Sequence, residues 1–473
     1  MKRVTFALCA VLALLITTMT ARAVTFTTSG GKILKDGTPF TVKGVNVAGL
    51  NWVDNREVTQ DASLIADKWK FNAIRVCNLI KVTNNPWTQY TTNNDLDRIV
   101  NTFTAKNVVV VMSLHGLIGL YANASTSPTI SEVSNHFKDL AIRYKNNPYV
   151  WFDLQNEPGS QTWPENNGAD WIALHQRLIK DIRDQGANNI IFVEGSGYGQ
   201  EGGNWDGSTP PDGASAILSY GDQLLSFGGT SYNNIVFSLH LYEKWGYETS
   251  DPNESGFSSD AKIAGFLAKI QNKGYAFVIG EYGSFNNRTT MRATQSMFRA
   301  LQNHPHVGRM VWQWTGGDSN DLTNWDQYYS WSGSGWGITP PDGTRPTNLS
   351  PLGALVWDDN HAVSGADLVV TSVGIQESSW NVGSTIHFTV TVTNQGSATT
   401  SANWLGNLWY VDGGWVDWAG YNATVGPGQS RTFVSSGWNA TKTNFSLRAV
   451  TDYPNYYAET NENNNEKTVA IAR

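Results

Sequence analysis

A chain of 473 residues with 20 tryptophans, 12% aromatic residues and only 15% charged residues has room for more than one domain. Its formal net charge of −7 argues against nucleic acid or an anionic membrane surface as a partner, because both require clusters of basic side chains. Aromatic side chains, by contrast, are abundant enough to fill cores and to form exposed platforms as well.

The first 23 residues are predicted to be a secretory signal peptide. Lys2 and Arg3 precede an almost wholly apolar run, and Ala21-Arg22-Ala23 has the small-x-small pattern of a cleavage site. The apolar run is too short for a membrane span. Cleavage removes one of the two cysteines and leaves Cys77 alone, so we expect a secreted chain without an intramolecular disulfide.

Short apolar runs alternate with helical patterns between residues 24 and 361. Runs such as 108–112 are continuously apolar, as expected of strands that are covered on both faces. Repeated strand–helix units indicate a parallel sheet, and eight of them indicate a closed (β/α)8 TIM barrel. The predicted strands are Val42–Val47, Ala73–Asn78, Val108–Leu114, Val150–Gln155, Ile190–Glu194, Ile235–His240, Phe277–Glu281 and Met310–Trp314.

Residues 366–473 have a different pattern, in which strand-like segments follow one another without helical stretches. Turn signals separate the segments, among them Asn394-Gln395-Gly396 and Gly426-Pro427-Gly428. This pattern predicts a small all-β immunoglobulin-like sandwich. The predicted fold class is therefore an α/β barrel followed by this sandwich.

Polar side chains recur at the carboxyl ends of the predicted barrel strands. In a (β/α)8 barrel these ends meet on one face, where the active site is built. Ionisable groups there are costly unless they have a partner or a function, so we predict that these residues share one site. The residues are Arg75, His115, Asn156, Glu157, His240, Tyr242, Glu281, Trp312 and Trp314.

Glu157 and Glu281 suggest acid–base chemistry at a glycosidic bond. One carboxyl must be protonated to donate to the leaving oxygen, and the other must be ionised to attack the anomeric carbon. Arg75 and Tyr242 are expected to favour the ionised form of Glu281 through charge and hydrogen bonding, which makes Glu157 the proton donor. A retaining enzyme needs the two carboxyls about 5 to 5.5 Å apart.

The segment 151–158, Trp-Phe-Asp-Leu-Gln-Asn-Glu-Pro, resembles the Asn-Glu-Pro signature of glycoside hydrolase family 5, within clan A. The segment 279–283 resembles the nucleophile strand of the same family, and the resemblance covers roughly residues 28–357. It implies that Glu157 is the acid/base and Glu281 the nucleophile. The implied supporting residues are Asn156 at the substrate 2-hydroxyl, Arg75 and Tyr242 around Glu281, His115 and His240 beside the scissile bond, and Trp312 as a sugar-stacking aromatic.

Trp314 has the same strand parity as Trp312, so it either faces the substrate with it or packs against the barrel. The resemblance implies a secreted retaining endo-hydrolase of a β-1,4-linked polysaccharide. Segment 238–243 favours a mannanase, whereas Asn-Glu-Pro is also common among cellulases, so glucan and mannan both remain open. The tryptophan-rich segment 316–343 favours an extended cleft and endo action.

Two other functions use similar residues. A non-catalytic glycan-binding protein would not need the glutamate pair, and a transglycosylase would use the same pair while excluding water. The sequence contains no zinc motif, dinucleotide fingerprint or nucleophile elbow, so we expect no metal and no other cofactor. The expected partner is polysaccharide, and the expected state is a monomer.

The predicted sandwich resembles the bacterial adhesion-related, CARDB-like domain that often follows secreted enzymes, notably in its asparagine-rich ending at 455–465. Its tryptophans allow two interpretations: they form the core of the sandwich, or they are exposed in a line and stack on sugars. These tryptophans are Trp404, Trp409, Trp415, Trp418 and Trp438.

Overall fold

The computed structural model describes residues 24–47, 58–78, 93–160, 165–202, 211–246, 260–283, 292–314, 322, 349–361, 365–396, 398–400, 403–454, 457, 459 and 464–473. The predicted signal peptide at 1–23 lies outside these residues, as does the tryptophan-rich segment 316–343 apart from Leu322.

Eight parallel strands form a closed barrel in the spatial order β6-β7-β8-β1-β2-β3-β4-β5. The predicted fold class, a (β/α)8 barrel followed by an all-β sandwich, is confirmed. The eighth strand ends earlier than predicted, so the parity argument for Trp314 does not apply. The strands are β1 Lys43–Val47, β2 Ala73–Asn78, β3 Val109–Leu114, β4 Val150–Asp153, β5 Ile191–Glu194, β6 Ile235–Leu241, β7 Phe277–Tyr282 and β8 Gly308–Val311.

Helices cover the outside of the barrel, and their buried apolar faces share one core cluster with the outward side chains of the strands. The segment that follows β1 is helical over 58–68, with a 3-10 turn at Val58–Asp61 and a π-helical turn at Leu64–Lys68. The α-helices are α1 Asn93–Thr104, α2 Ile130–Tyr144, α3 Ala169–Arg183, α4 Ala216–Tyr220, α5 Asp222–Leu225, α6 Asp260–Asn272, α7 Arg292–Leu301 and α8 Pro351–His361.

Alternate strand residues fill the inside of the barrel in layers. The layer toward the amino-terminal ends is apolar and includes Val111, Trp151, Phe192 and Met310. Phe26, from the small sheet that precedes the barrel, packs edge-on against Trp151 with ring centroids 5.2 Å apart and so covers this end. Polar side chains are thereby restricted to the opposite end, where the strands terminate.

In the second unit, the described residues form nine strands in three small sheets around a separate core cluster. The sheets have the orders β9-β11-β14, β10-β15 and β13-β12-β16-β17. The strands are β9 Leu368–Ile375, β10 Thr385–Ile386, β11 Phe388–Asn394, β12 Asn403–Val411, β13 Gly414–Ala423, β14 Ser430–Val434, β15 Trp438–Asn439, β16 Phe445–Val450 and β17 Glu466–Ile471.

The tryptophans of the sandwich divide between the two interpretations. Trp409 is fully buried in the core, and Trp438 is packed against it. Trp404, Trp415 and Trp418 are exposed. Among the residues that the model describes, none of the helices has the length and apolar character required to cross a bilayer.

Candidate active site

Arg75, on β2, is the centre of the polar layer at the carboxyl end of the barrel. Its guanidinium is fully buried and has five N–H donors, each of which can serve one acceptor. Five acceptors surround it. They are Asp153 Oδ2 at 2.7 Å from Nε, Asn46 Oδ1 at 2.9 Å and Glu281 Oε1 at 2.7 Å from Nη1, and Asn156 Oδ1 at 2.6 Å and Glu194 Oε1 at 2.7 Å from Nη2.

The strand register explains how these acceptors come together. Asn46 is paired with Arg75 across β1 and β2. The Nδ2 of Asn46 donates to the carbonyl of Gly280 at 3.0 Å, one residue before Glu281. Asp153 and Glu194 are the last residues of β4 and β5, each two positions after an inward aromatic side chain. Side chains from β1, β4, β5 and β7, together with Asn156 after β4, therefore meet around one cation on β2.

Glu157 and Glu281 both lie beside the imidazole of His240. The Nδ1 of His240 is 2.9 Å from Glu157 Oε1 and 3.5 Å from Glu281 Oε2. Oxygens of the two carboxyls lie within 4.8 Å of each other. The sequence-predicted pair therefore shares one site, at a separation that suits a retaining pair better than an inverting pair, which needs about 6.5 to 9.5 Å.

The backbone of Glu157 is held from both sides. Its φ of 52° lies in the left-handed region, which is costly for a residue other than glycine unless the surroundings fix it. Its N–H donates to Glu194 Oε2 at 2.7 Å, and its carbonyl accepts from the N–H of Gly119 at 2.8 Å. These two bonds direct the side chain of Glu157 toward the site.

Both oxygens of Glu281 have hydrogen-bond donors, as the sequence predicted. Arg75 binds Oε1, and the hydroxyl of Tyr242 donates to Oε2 at 2.9 Å. Nevertheless, burial raises the pKa of Glu281, although the charges of His240 and Arg75 act in the opposite direction. The expectation that its partners would favour the ionised form omitted this desolvation, which is the largest effect.

Glu194 is a functional residue that the sequence reasoning missed. Its Oε1 contacts Arg75 and lies 3.3 Å from Nε2 of His240, while its Oε2 holds the backbone of Glu157. Burial alone would raise the pKa of Glu194, but the charges of His240 and Arg75 hold it well below its usual value. The signal was available in the sequence, since a carboxylate ends the predicted strand 190–194.

The charge of His240 depends on these carboxylates. Burial alone would lower the pKa of His240, but the charges of Glu194 and Glu281 raise it well above its usual value. The site therefore holds two buried cations, Arg75 and His240. Burial and the charge of Glu194 raise the pKa of Asp153 to about 7, so Asp153 is less readily ionised than Glu194.

The remaining predicted residues occupy two places. The rings of His115 and Trp312 are nearly parallel, with centroids 6.3 Å apart. Burial lowers the pKa of His115 well below its usual value, so this imidazole is neutral. Trp314 is buried edge-on against Trp69, at a centroid distance of 5.7 Å.

The indole nitrogen of Trp314 donates to Asp61 Oδ2 at 3.0 Å. The structure therefore gives Trp314 a packing position, the second of the two alternatives considered for it.

Glu157, His240 and Glu281 are also close enough to ligate one metal ion. A histidine must lose its ring proton to bind a metal with the nitrogen that carries it. The raised pKa of His240 opposes that loss, and the neighbouring charge of Arg75 opposes a second cation. The geometry is therefore better suited to proton transfer than to metal binding.

The model of the cellulase family, glycosyl hydrolase family 5, matches residues 33–318. The chain belongs to glycosyl hydrolase family 5. Its match includes all of the residues around Arg75, and the predicted membership is confirmed. The CARDB model matches residues 365–469, which confirms the resemblance of the sandwich.

Relatives within the family include enzymes named for both candidate substrates. A mannan endo-1,4-beta-mannosidase of Cellvibrio japonicus is 24% identical over 295 residues, covering 61% of this chain and 59% of the relative. An endo-beta-1,4-glucanase B of Aspergillus niger is 26% identical over 261 residues, covering 54% of this chain and 70% of the relative. The chain thus spans about three fifths of the length of the Cellvibrio relative.

Solved structures agree on the fold. The catalytic domain of a mannanase from Streptomyces sp. SirexAA-E has a TM-score of 0.50 at 20% identity, covering 69% of this chain and 92% of that one. A β-mannanase of Thermomonospora fusca, solved with mannohexaose, has a TM-score of 0.51 at 19% identity, covering 71% and 94%. At these identities the likeness establishes the barrel and nothing finer.

Glu194→Gln tests whether this carboxylate positions the catalytic groups. The variant keeps the shape of the side chain but removes its charge, which releases His240 and loosens the backbone of Glu157. We expect kcat to fall on the order of 100-fold, because misplacement of reacting groups by about 1 Å has that effect. The pKa of His240 should also fall, because the charge of Glu194 is one of those that raise it, and NMR titration of this imidazole would detect the change.

Glu201→Gln is the matched control for this variant. Glu201 is another buried glutamate, but it accepts from the backbone N–H of Ser196 and the hydroxyl of Ser215. Its replacement should leave the pKa of His240 unchanged. If Glu194→Gln lowers only the thermal stability and changes neither kcat nor the pKa of His240, Glu194 has no positioning role.

The acid limb of the pH profile tests the raised pKa of Glu281. A raised pKa means that the carboxylate needed for attack is populated only at higher pH. As the pH is lowered, we therefore expect kcat/KM to begin to fall at a pH above the ordinary glutamate pKa of about 4.3. Tyr242→Phe removes a hydrogen bond to the ionised form and should move this limb further upward. A wild-type limb at or below the ordinary value would contradict this prediction.

Proposed function

We propose that the protein is a secreted, retaining endo-hydrolase that cuts β-1,4-linked glucan or mannan by double displacement. The observation that carries this proposal is the approach of Glu157 and Glu281 to within 4.8 Å, with the cations Arg75 and His240 beside them. Membership of glycosyl hydrolase family 5 supports the reaction class.

In the first step, Glu281 attacks the anomeric carbon and a covalent glycosyl-enzyme bond forms. Glu157 gives its proton to the glycosidic oxygen, which leaves as a free hydroxyl. Arg75 and Tyr242 each bind one oxygen of Glu281, so the carboxylate is aligned before the substrate arrives. The separation of the two acids supports this route over direct attack by water.

In the second step, Glu157 is ionised and accepts a proton from water. The water oxygen attacks the anomeric carbon, and Glu281 leaves with its original charge. His240 faces Glu157 through Nδ1 and is well placed to stabilise the negative charge that alternates between the two acids. The proton thus returns to Glu157, and the overall configuration is retained.

The other predicted residues would hold the sugar. Arg75 binds the amide oxygen of Asn156, which leaves the amide nitrogen as its donor toward a sugar hydroxyl. Trp312, stacked near His115, would support a pyranose ring through its indole face. These roles follow the family resemblance, and the partly exposed position of Trp312 is compatible with them.

The proposed organisation has three parts: a signal peptide at 1–23, a catalytic barrel at 24–361 and an accessory sandwich at 366–473. Two observations support the second boundary. Val356 and Trp357, on α8, belong to the barrel core cluster, whereas Leu368 belongs to the cluster of the sandwich. We also propose that the mature protein acts outside the cell as a monomer.

Variants of the two acids test their roles. Glu281→Gln should lower turnover by more than about 10⁴-fold, as loss of a nucleophile does. Glu157→Ala should lower it by roughly 10²- to 10⁴-fold. Azide should restore the turnover of Glu157→Ala and yield a glycosyl azide of retained configuration, which NMR would detect. An inverted azide product from this variant would mean that the assigned roles are exchanged.

The substrate class is tested by comparing carboxymethyl-cellulose with glucomannan. We expect reducing ends to appear on at least one of them, together with a rapid fall in viscosity and oligosaccharides of several lengths. Release of monosaccharide alone would contradict endo action, and products longer than the substrate would indicate a transglycosylase. If Glu281→Gln and the wild type both bind but neither cuts, the protein is a non-catalytic glycan binder.

A further inference from the structure

The outer face of the hairpin β12–β13 carries three exposed tryptophans that the core does not use. Leu405, Asn407 and Trp409 of β12 are buried, so the alternate residues of this strand face outward. Trp404 is one of these outward residues. Trp415 and Trp418 of β13 lie opposite Tyr410 and Leu408, which are also outward.

Trp404 lies against the surface of the sheet. A Cβ atom added to Gly406 would lie 2.9 Å from the indole Nε1 of Trp404, and one added to Gly420 would lie 2.9 Å from its Cε2 and Cζ2. Gly406 and Gly420 are direct neighbours across the two strands. The indole therefore spans a pair of positions that have no side chain.

The neighbouring ring continues this surface. The centroids of Trp404 and Trp418 are 6.1 Å apart, and 36% and 54% of these residues are exposed. Trp415, further along the same strand, is 59% exposed. Exposed tryptophans grouped on one face of a small domain indicate an interaction surface, because they have no packing function there.

The chemistry of this face selects the ligand. Its tryptophan and glycine positions carry no ionisable group. The nearby Arg448 lies over the ring of Tyr410 and pairs with Glu466 at 2.9 Å. A neutral face of this kind is unsuited to nucleic acid or an anionic membrane, which require unpaired cations. It matches a neutral ligand with flat apolar C–H faces, and pyranose rings have such faces.

We propose that the outer face of the hairpin β12–β13 is a binding platform for an uncharged β-linked polysaccharide, with Trp404 and Trp418 stacking on its sugar rings. The choice of polysaccharide over other flat neutral ligands rests on the proposed function of the barrel. Binding at this face would keep the enzyme on an insoluble substrate between cuts. Binding at the hairpin raises the local concentration of the substrate at the linked barrel, and this effect does not require any change in the active site.

The test compares insoluble and soluble forms of the substrate, using the full chain. Glu281→Gln provides a background in which binding is measured without hydrolysis. In that background, Trp404→Ala with Trp418→Ala should weaken retention on insoluble cellulose or mannan on the order of 10-fold or more, which corresponds to about 1.4 kcal/mol or more. With Glu281 intact, the same pair should leave kcat/KM on soluble carboxymethyl-cellulose or glucomannan unchanged.

Tyr421→Ala is the matched control. Tyr421 is an exposed aromatic of the same strand, but it lies opposite the inward residue Leu405, with its ring 4.9 Å from that of Phe433. Its loss should not affect retention. Trp418→Tyr should retain most binding and Trp418→Leu should lose it, because only the former keeps a ring that can stack.

Several outcomes would overturn the proposal that this face binds polysaccharide. Unchanged retention of the double variant would do so, and so would equal retention of the tyrosine and leucine variants, which would point to a protein-binding surface instead. Failure of the proposed function is a separate result, because it would appear as no hydrolysis of the soluble substrates by the wild type.

Discussion

The site depends on the complete satisfaction of one buried guanidinium. Removing a positive charge from water costs several kcal/mol unless the surrounding groups replace its hydration. Arg75 meets this condition with five acceptors for its five N–H groups. Because those acceptors come from different strands, the cation fixes the relative positions of the strand ends, and with them the position of Glu281.

The second cation follows from the first. Arg75 pairs with the buried carboxyls of Glu194 and Glu281, and their negative charges in turn raise the pKa of His240. His240 then faces both Glu157 and Glu281. The positive charges of Arg75 and His240 thus nearly balance the negative charges of the surrounding carboxyls, and a single proton can be exchanged among these groups. A reaction in which a proton leaves one acid and returns to it requires such an arrangement.

Much of this arrangement could be predicted from the sequence. Eight strand–helix periods indicated the barrel, and the ends of those strands indicated which side chains would meet. The prediction failed where the environment of a side chain depends on tertiary contacts and burial. Glu194 ends a recognised strand, but its three contacts come from residues far apart in the chain. The pKa of Glu281 depends on how deeply it is buried, which strand patterns do not report.

Trp314 and the tryptophans of the sandwich illustrate a related limit. Strand parity left Trp314 either beside Trp312 or packed against the barrel, and β8 ends at Val311, so the alternation stops before Trp314. In the sandwich, composition alone allowed a core or a surface, and the alternation of burial along β12 separates Trp409 from Trp404. Alternation is informative only when the ends and bulges of each strand are known.

The covering of the barrel by Phe26 has a practical consequence. This residue lies near the start of the described chain and packs on Trp151 at the amino-terminal end of the strands. Glu157 and Glu281 lie at the other end. A solid support or fusion partner joined ahead of Val24 would therefore be attached on the side of the barrel away from these two carboxyls, which leaves their end of the barrel open to a bulky ligand.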